Sequence, residues 1–150
     1  MSEFHFSAEA LLKAPPEVVY HCLADYREHH RVDGGFLPPA FTRLDVLEGG
    51  VGAGTVIRFT THLGGRSMTR TQHVSEPQPG RVLVERGNGE GSTFSVEPEG
   101  GATRLRIDTT LQAPGLEGVF LRWFGARLLR PVYAEELARL ERCAQSHTGV

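Results

Sequence analysis

GLEGVFLRWFGARLLRPVYAEELARLERC, residues 115–143, is the one stretch of this chain long enough to form a major helix. At 1.5 Å per residue it spans roughly 40 Å. Apart from a short helical patch near the N-terminus, the residues ahead of it read as strands. A single long helix and many strands must bury their apolar sides against each other, which sets the class as α+β. Ala113-Pro114-Gly115 punctuates the last strand and lets the helix begin. In the second half Leu129, Tyr133, Leu137, Leu140 and Ala144 recur at helical spacing and form an apolar stripe. In the first half Leu116, Val119, Phe120 and Trp123 lie together, flanked by Phe124 and Leu128. At 100° per residue the two faces do not line up, and Pro131 stands between them, so a kink is expected near Pro131. Trp123 and Phe124 have two readings, plain core or a lid over a pocket. Apolar residues at helical spacing usually pack, which favours core.

The rest of the composition narrows the field. The chain has 150 residues, enough for one domain with a real core, and residues 1–150 are read as a single domain. Its formal net charge is −2 and no Lys/Arg block occurs, so nucleic acid is not an expected partner. No apolar run reaches the ~18 residues of a membrane span. MSEFHFSAE lacks the basic-then-apolar pattern of a signal peptide, so a cytoplasmic protein is expected. Cys22 and Cys143 match no metal or redox spacing and read as buried small hydrophobes. Neither a cofactor nor a metal is expected.

Working back from the helix, residues 4–13 alternate as a half-buried strand. Ala14-Pro15-Pro16-Glu17 opens a helix with proline in its first turn, and Val18, Val19, Cys22 and Leu23 give that helix its apolar face. Residues 25–30, DYREHH, read as a second short helix or turn before Gly34-Gly35. Six strands follow at 41–47, 55–63, 66–75, 81–86, 92–97 and 103–112, separated by glycine and proline turns. In the last of them Leu105, Ile107, Thr109 and Leu111 alternate with Arg104, Arg106, Asp108 and Thr110, giving one buried and one solvated face of an antiparallel sheet. Seven strands in a meander are expected, with two short helices inserted after the first.

This order resembles the helix-grip fold of the START-like, SRPBCC superfamily, and within it the polyketide cyclase/dehydrase branch. The resemblance covers nearly the whole chain. It rests on Ala14-Pro15-Pro16-Glu17-Val18-Val19-Tyr20, Gly52-Ala53-Gly54-Thr55, Val74-Ser75-Glu76-Pro77, Pro79-Gly80-Arg81-Val82-Leu83 and Gly101-Ala102-Thr103-Arg104-Leu105. It implies a curved sheet gripping the long helix around an apolar cavity that holds lipids, polyketides or other hydrophobic ligands. Some relatives cyclise or dehydrate polyketides.

Chemistry is less legible. Gly50-Val51-Gly52-Ala53-Gly54 lies between two strands, not between a strand and a helix, and lacks a Walker lysine, so it is not a phosphate cradle. It reads as a tight, mobile hairpin like the glycine-rich loop that relatives carry at a cavity rim. His29 and His30, beside Tyr26, sit near the expected cavity mouth. A histidine there would serve as general acid or base, but adjacent helical side chains diverge, and solvated surface histidines are the blander reading. In strand 66–75 one register turns Met68, Arg70, Gln72 and Val74 inward. Arg70 would then anchor a carboxylate or enolate and Gln72 would orient a carbonyl. The opposite register turns Ser67, Thr69 and Thr71 inward instead. No nucleophile, triad or carboxylate pair is recognisable.

The leading reading is therefore a binding or carrier protein for a hydrophobic small molecule such as a lipid, polyketide or aromatic compound. Its expected cavity wall comprises Phe59, Thr61, Arg70, Gln72, Phe94, Val96, Leu105 and Ile107 from the sheet, with Phe120, Trp123, Leu128 and Tyr133 from the helix. The alternative is a polyketide cyclase/dehydratase-type enzyme in the same cavity, with Arg70, His30 or Tyr26 supplying proton transfer or enolate stabilisation. A third reading is a protein-interaction module, a homodimer through the sheet edge or the Pro38-Pro39 loop. Polar groups converging inside the cavity favour the enzyme, and an all-apolar interior favours the carrier.

Overall fold

The structure is a computed structural model describing residues 2–28, 30, 35–63, 65–113 and 115–147, without the side chains of residues 2, 113 and 115–122. In chain order the elements are β1 (Ser2–Leu12), α1 (Pro16–Ala24), β2 (Phe41–Glu48), β3 (Val56–Leu63), β4 (Arg66–Gln78), β5 (Val82–Gly87), β6 (Glu90–Glu99), β7 (Ala102–Ala113) and α2 (Gly115–Ser146). The strands form one antiparallel sheet in the order β1-β7-β6-β5-β4-β3-β2. β2 to β7 are a meander, and β1 closes the far edge by pairing along its whole length with β7, from Ser2 opposite Ala113 to Leu12 opposite Thr103. The long helix and the curved antiparallel sheet make this a helix-grip α+β fold.

One detail of the expected element list changes. After α1 the described residues contain no second helix. Asp25 forms a bridge with Val51, and Tyr26–Glu28 make a turn whose Arg27 and Glu28 N–H groups donate to the Asp25 carboxylate, each at 3.1 Å. An aspartate that accepts backbone N–H groups two and three residues on stabilises a turn in competition with helix. His29 lies outside the described residues.

Helix α2 runs from Gly115 to Ser146 with Pro131 inside it, on its exposed side. Leu129, Leu137, Leu140 and Ala144 are buried as the stripe requires, and Tyr133 packs against the same core. They meet α1 residues Val19, Cys22 and Leu23 and the inward side chains Leu83, Phe94, Val96, Leu105 and Ile107 of the sheet. Each such apolar side chain contributes about 1.5–3 kcal/mol by leaving water.

The first half of the helix corrects the sequence reading. Trp123 is 75 % exposed and Phe124 48 % exposed, so neither is plain core. The cause is Gly125, which packs so closely on the Phe4 ring that a Cβ there would stand 2.6 Å from it. That contact fixes which face of the helix meets β1. Two residues away is about 200° around the axis, so Trp123 points off the sheet.

The glycine loop between β2 and β3 is pinned rather than loose. The Tyr26 N–H donates to the Gly50 carbonyl at 2.8 Å and the Gly52 N–H to the Ala24 carbonyl at 2.9 Å. Glu76 accepts from the Ala53 N–H at 2.7 Å and from the Tyr20 hydroxyl at 2.6 Å. The loop thereby clamps the end of α1 to β4. Gly52 has φ +66°, and a Cβ there would collide with the Glu76 carboxylate. Gly52→Ala is expected to cost about 1–2 kcal/mol from backbone strain alone, with a further loss if Glu76 is displaced. Urea unfolding measures it, and an unchanged midpoint would mean the clamp carries no stability.

Candidate functional site

Between the inner face of the sheet and α2 lies a cavity of about 200 Å³. Strand register decides its wall. β3 and β4 pair with Ile57 opposite Gln72, Phe59 opposite Arg70, Thr61 opposite Met68 and Leu63 opposite Arg66. Cross-strand partners share a face, so the whole set turns inward together. This is the register in which Met68, Arg70, Gln72 and Val74 face inward, while Ser67, Thr69, Thr71 and His73 are exposed. On β6 and β7, Phe94, Ser92, Thr109 and Leu111 reach the cavity, and Leu128, Leu129, Val132, Tyr133 and Glu136 reach it from α2. Leu37, Ala40, Phe41 and Leu44 complete the apolar part.

Of the residues expected to line the site, Phe59, Thr61, Arg70, Gln72, Phe94, Leu128, Tyr133 and His30 come together around this cavity. Val96, Leu105 and Ile107 do not. They are buried in the layer where the sheet meets the helices, beyond the cavity. Trp123 faces away, and Phe120 lies outside the described side chains. Tyr26 is buried behind the wall and does not line the cavity, but its hydroxyl donates to Glu85 Oε2 at 2.6 Å.

The cavity wall is more polar than the sequence reading anticipated. Two carboxyls, Glu85 from β5 and Glu136 from α2, face the cavity, and both are almost fully buried. Burial pushes the Glu85 carboxyl up to about 7, opposed by the Tyr26 hydrogen bond. Burial, and then the nearby Glu85 charge, push Glu136 up to about 8. Desolvation disfavours the charged form, and when two carboxylates share a site the charge of one raises the other further, here Glu136. Among the described residues no hydrogen bond ends on the Glu136 carboxyl, which leaves it for an occupant of the cavity. Next to it the Tyr133 hydroxyl is 2.7 Å from Thr109 Oγ1, itself 2.9 Å from Ser92 Oγ. Burial, then the Glu136 charge, raise the Tyr133 phenol, so it stays protonated and serves as a donor.

Both carboxyls have a sequence signal. Glu85 shares its strand face with buried Leu83, and Glu136 stands three residues after Tyr133 and four before Leu140, inside the helix stripe. A carboxylate at an apolar position of a periodic pattern is the mark.

His30 is not a solvated surface histidine. It is buried, stacks on Tyr26 with ring centroids 3.9 Å apart, and meets Phe36 edge-on at 4.5 Å. Its Nε2–H donates to the Leu23 carbonyl at 2.6 Å. Arg70 is half-buried, and its guanidinium pairs with Glu90 at 3.0 Å, so its charge is already balanced within the wall. Glu90 in turn accepts the Gln112 N–H at 2.8 Å. None of Gly49 to Gly54 lines the cavity.

The chain as a whole has solved structural counterparts. KanY protein, determined by NMR, superposes with a TM-score of 0.80 at 26% identity, over 97% of this chain and 99% of that one. Zhui aromatase/cyclase from Streptomyces sp. R1128 superposes at 0.71 with 17% identity, over 97% and 96% of the two chains. A START superfamily protein from Mycobacterium smegmatis superposes at 0.64 with 16% identity, over 95% and 97%. No curated protein matches the sequence. No helix among the described residues is long and apolar enough to cross a membrane. The family profile described as polyketide cyclase / dehydrase and lipid transport matches residues 3–145, and the chain belongs to that family.

Proposed function

We propose that this chain binds a compact, mostly apolar small molecule that carries oxygen groups at one end. The observation that carries the reading is a largely apolar cavity that also takes in a group of polar side chains. Phe59, Phe41, Leu44 and Leu128 line it with other apolar side chains, and Gln72, Tyr133, Glu85 and Glu136 line it too, the last three close enough for their charges to act on one another. Pockets with an apolar body and a few convergent polar groups are typical ligand sites. The volume, about 200 Å³, is small beside the ~300–1,000 Å³ of drug-sized sites, and suits one or two rings better than a long-chain lipid. Protonated Glu136 and the Tyr133 hydroxyl would donate to a carbonyl or phenol oxygen, and the Glu85 carboxylate would accept. A ligand with a polar head and a ring body would satisfy all three.

A second reading, a cyclase/dehydratase-type enzyme, has its own support. General acids and bases work best with pKa values near the working pH, and Glu85 at about 7 and Glu136 at about 8 face one cavity. In such a step Glu85 would take a proton from a carbon next to a carbonyl. Glu136 would give its proton to a departing hydroxyl, which leaves as water while a carbon–carbon double bond forms.

A thermal-shift panel of ring phenols, ring ketones and fatty acids tests the binding reading. Ring compounds with a polar end are expected to raise the melting temperature, and Thr61→Trp, which fills the cavity, to abolish the shift. Equal shifts in Thr61→Trp, or shifts from fatty acids only, contradict it. For the enzyme reading the same compounds are followed by mass for loss of water. Binding without any such change leaves the carrier.

A further inference from the structure

A second cluster lies outside the cavity, where α1 meets the last turns of α2. Cys22 and Cys143, 121 residues apart in sequence, bring their Sγ atoms to 3.1 Å. One His147 ring nitrogen joins them, and the three possible ligand atoms all lie within 4.8 Å of one another. The grouping runs inward to outward: Cys22 is fully buried, Cys143 half-buried and His147 exposed. None of the three lines the cavity.

We propose that Cys22, Cys143 and His147 form a binding site for a thiophilic divalent cation of the Zn²⁺ type, joining α1 to the end of α2. The donor set is two sulfurs and one imidazole, the combination that suits Zn²⁺ rather than Mg²⁺ or Ca²⁺. In a tetrahedral site with metal–sulfur bonds of ~2.3 Å the sulfurs stand ~3.8 Å apart. The pair would have to part by only about 0.7 Å from its present 3.1 Å separation. His147 is exposed, so water would be at hand to complete the coordination.

The local charge fits a cation. Asp25 lies close enough to both sulfurs to add negative potential. Its carboxylate also stands 4.0 Å from His21 Nε2, and the His21 ring is 6.3 Å from that of His147.

Co²⁺ added to the full chain under reductant is the probe, because thiolate ligation gives it an intense near-ultraviolet charge-transfer band. The expected result is that band saturating at one Co²⁺ per chain and vanishing as Zn²⁺ is added. His147→Ala and Cys143→Ser should each weaken uptake by at least the ~10–100-fold that loss of even a supporting group costs. Alkylation of Cys143 in the natural chain gives a readout independent of the variants' folding, and Zn²⁺ should slow it. No thiolate band, uptake unchanged in both variants, or no protection by Zn²⁺ overturns the proposal. So does a reduced chain that takes up no metal but closes a Cys22–Cys143 disulfide under peroxide, which would make the pair a redox staple.

Discussion

Replacing Glu85 and Glu136 together by glutamine is expected to flatten the dependence of stability on pH. Each carboxyl has an ordinary value of 4.5, raised in the fold to about 7 for Glu85 and about 8 for Glu136. Below 4.5 both folded and unfolded chains hold these protons, and neither group affects the balance. As pH rises, the unfolded chain releases its protons first. The folded chain, holding more protons, loses relative stability until the folded carboxyls also ionise. The natural chain should therefore be most stable near pH 5 and weaken toward pH 8. At ~1.4 kcal/mol per unit the loss is about 3–5 kcal/mol for either group alone. The pair is coupled, so the two do not simply add. Against a total of about 5–15 kcal/mol this is large. Glutamine mimics the protonated acid in shape and still accepts the Tyr26 hydroxyl. Urea midpoints at pH 5 and pH 8, at one ionic strength, give the comparison. If the double variant keeps the natural slope, the carboxyls are not held as described.

Truncating Leu140 to alanine is expected to destabilise the fold by about 2–5 kcal/mol, the cost of lost burial plus the void left behind. Leu140 is 0 % exposed and sits in the helix stripe between Leu137 and Ala144. Trp123→Ala, a larger truncation on the same helix, should change stability by no more than about 0.5 kcal/mol, because an exposed side chain leaves no cavity. Chemical unfolding of both variants decides the matter. A costly Trp123→Ala would mean that the first half of α2 packs on something after all.

The contrast between these residues explains what the sequence could reveal. Alternation in 103–112 and the 129–144 stripe are strong periodic signals because each position repeats the same inside-or-outside choice. They located β7 and the gripping half of α2. Trp123 was misread because composition cannot tell which of two apolar faces a helix presents. The close approach of Gly125 to Phe4, a contact between residues 121 positions apart, made that choice. Strand 66–75 was ambiguous for a related reason. Both of its faces mix polar and apolar residues, and only pairing with β3 broke the tie.

The polar side chains of the cavity wall were not legible because carboxylates in a sequence usually mark solvated positions. Glu136 stands inside the helix stripe read from the sequence, while Glu85 lies on a strand, 81–86, whose inward face the sequence reading did not assign. The Cys22–Cys143 contact had no signal at all, since spacing rules apply to ligands carried on one local segment. Of the catalytic candidates, Arg70 is paired with Glu90, and His30, which lines the cavity, stacks on Tyr26, whose hydroxyl donates to Glu85.

The most direct test of a ligand-holding cavity is native mass spectrometry of the chain as purified, beside Thr61→Trp purified in the same way. The account predicts a small-molecule adduct on the natural chain, released on unfolding as a ring compound with an oxygen-bearing end, and no adduct on the variant. A natural chain that carries no adduct and takes up none of the ring compounds offered to it would contradict the account. The same adduct on both chains would place the ligand somewhere other than this cavity.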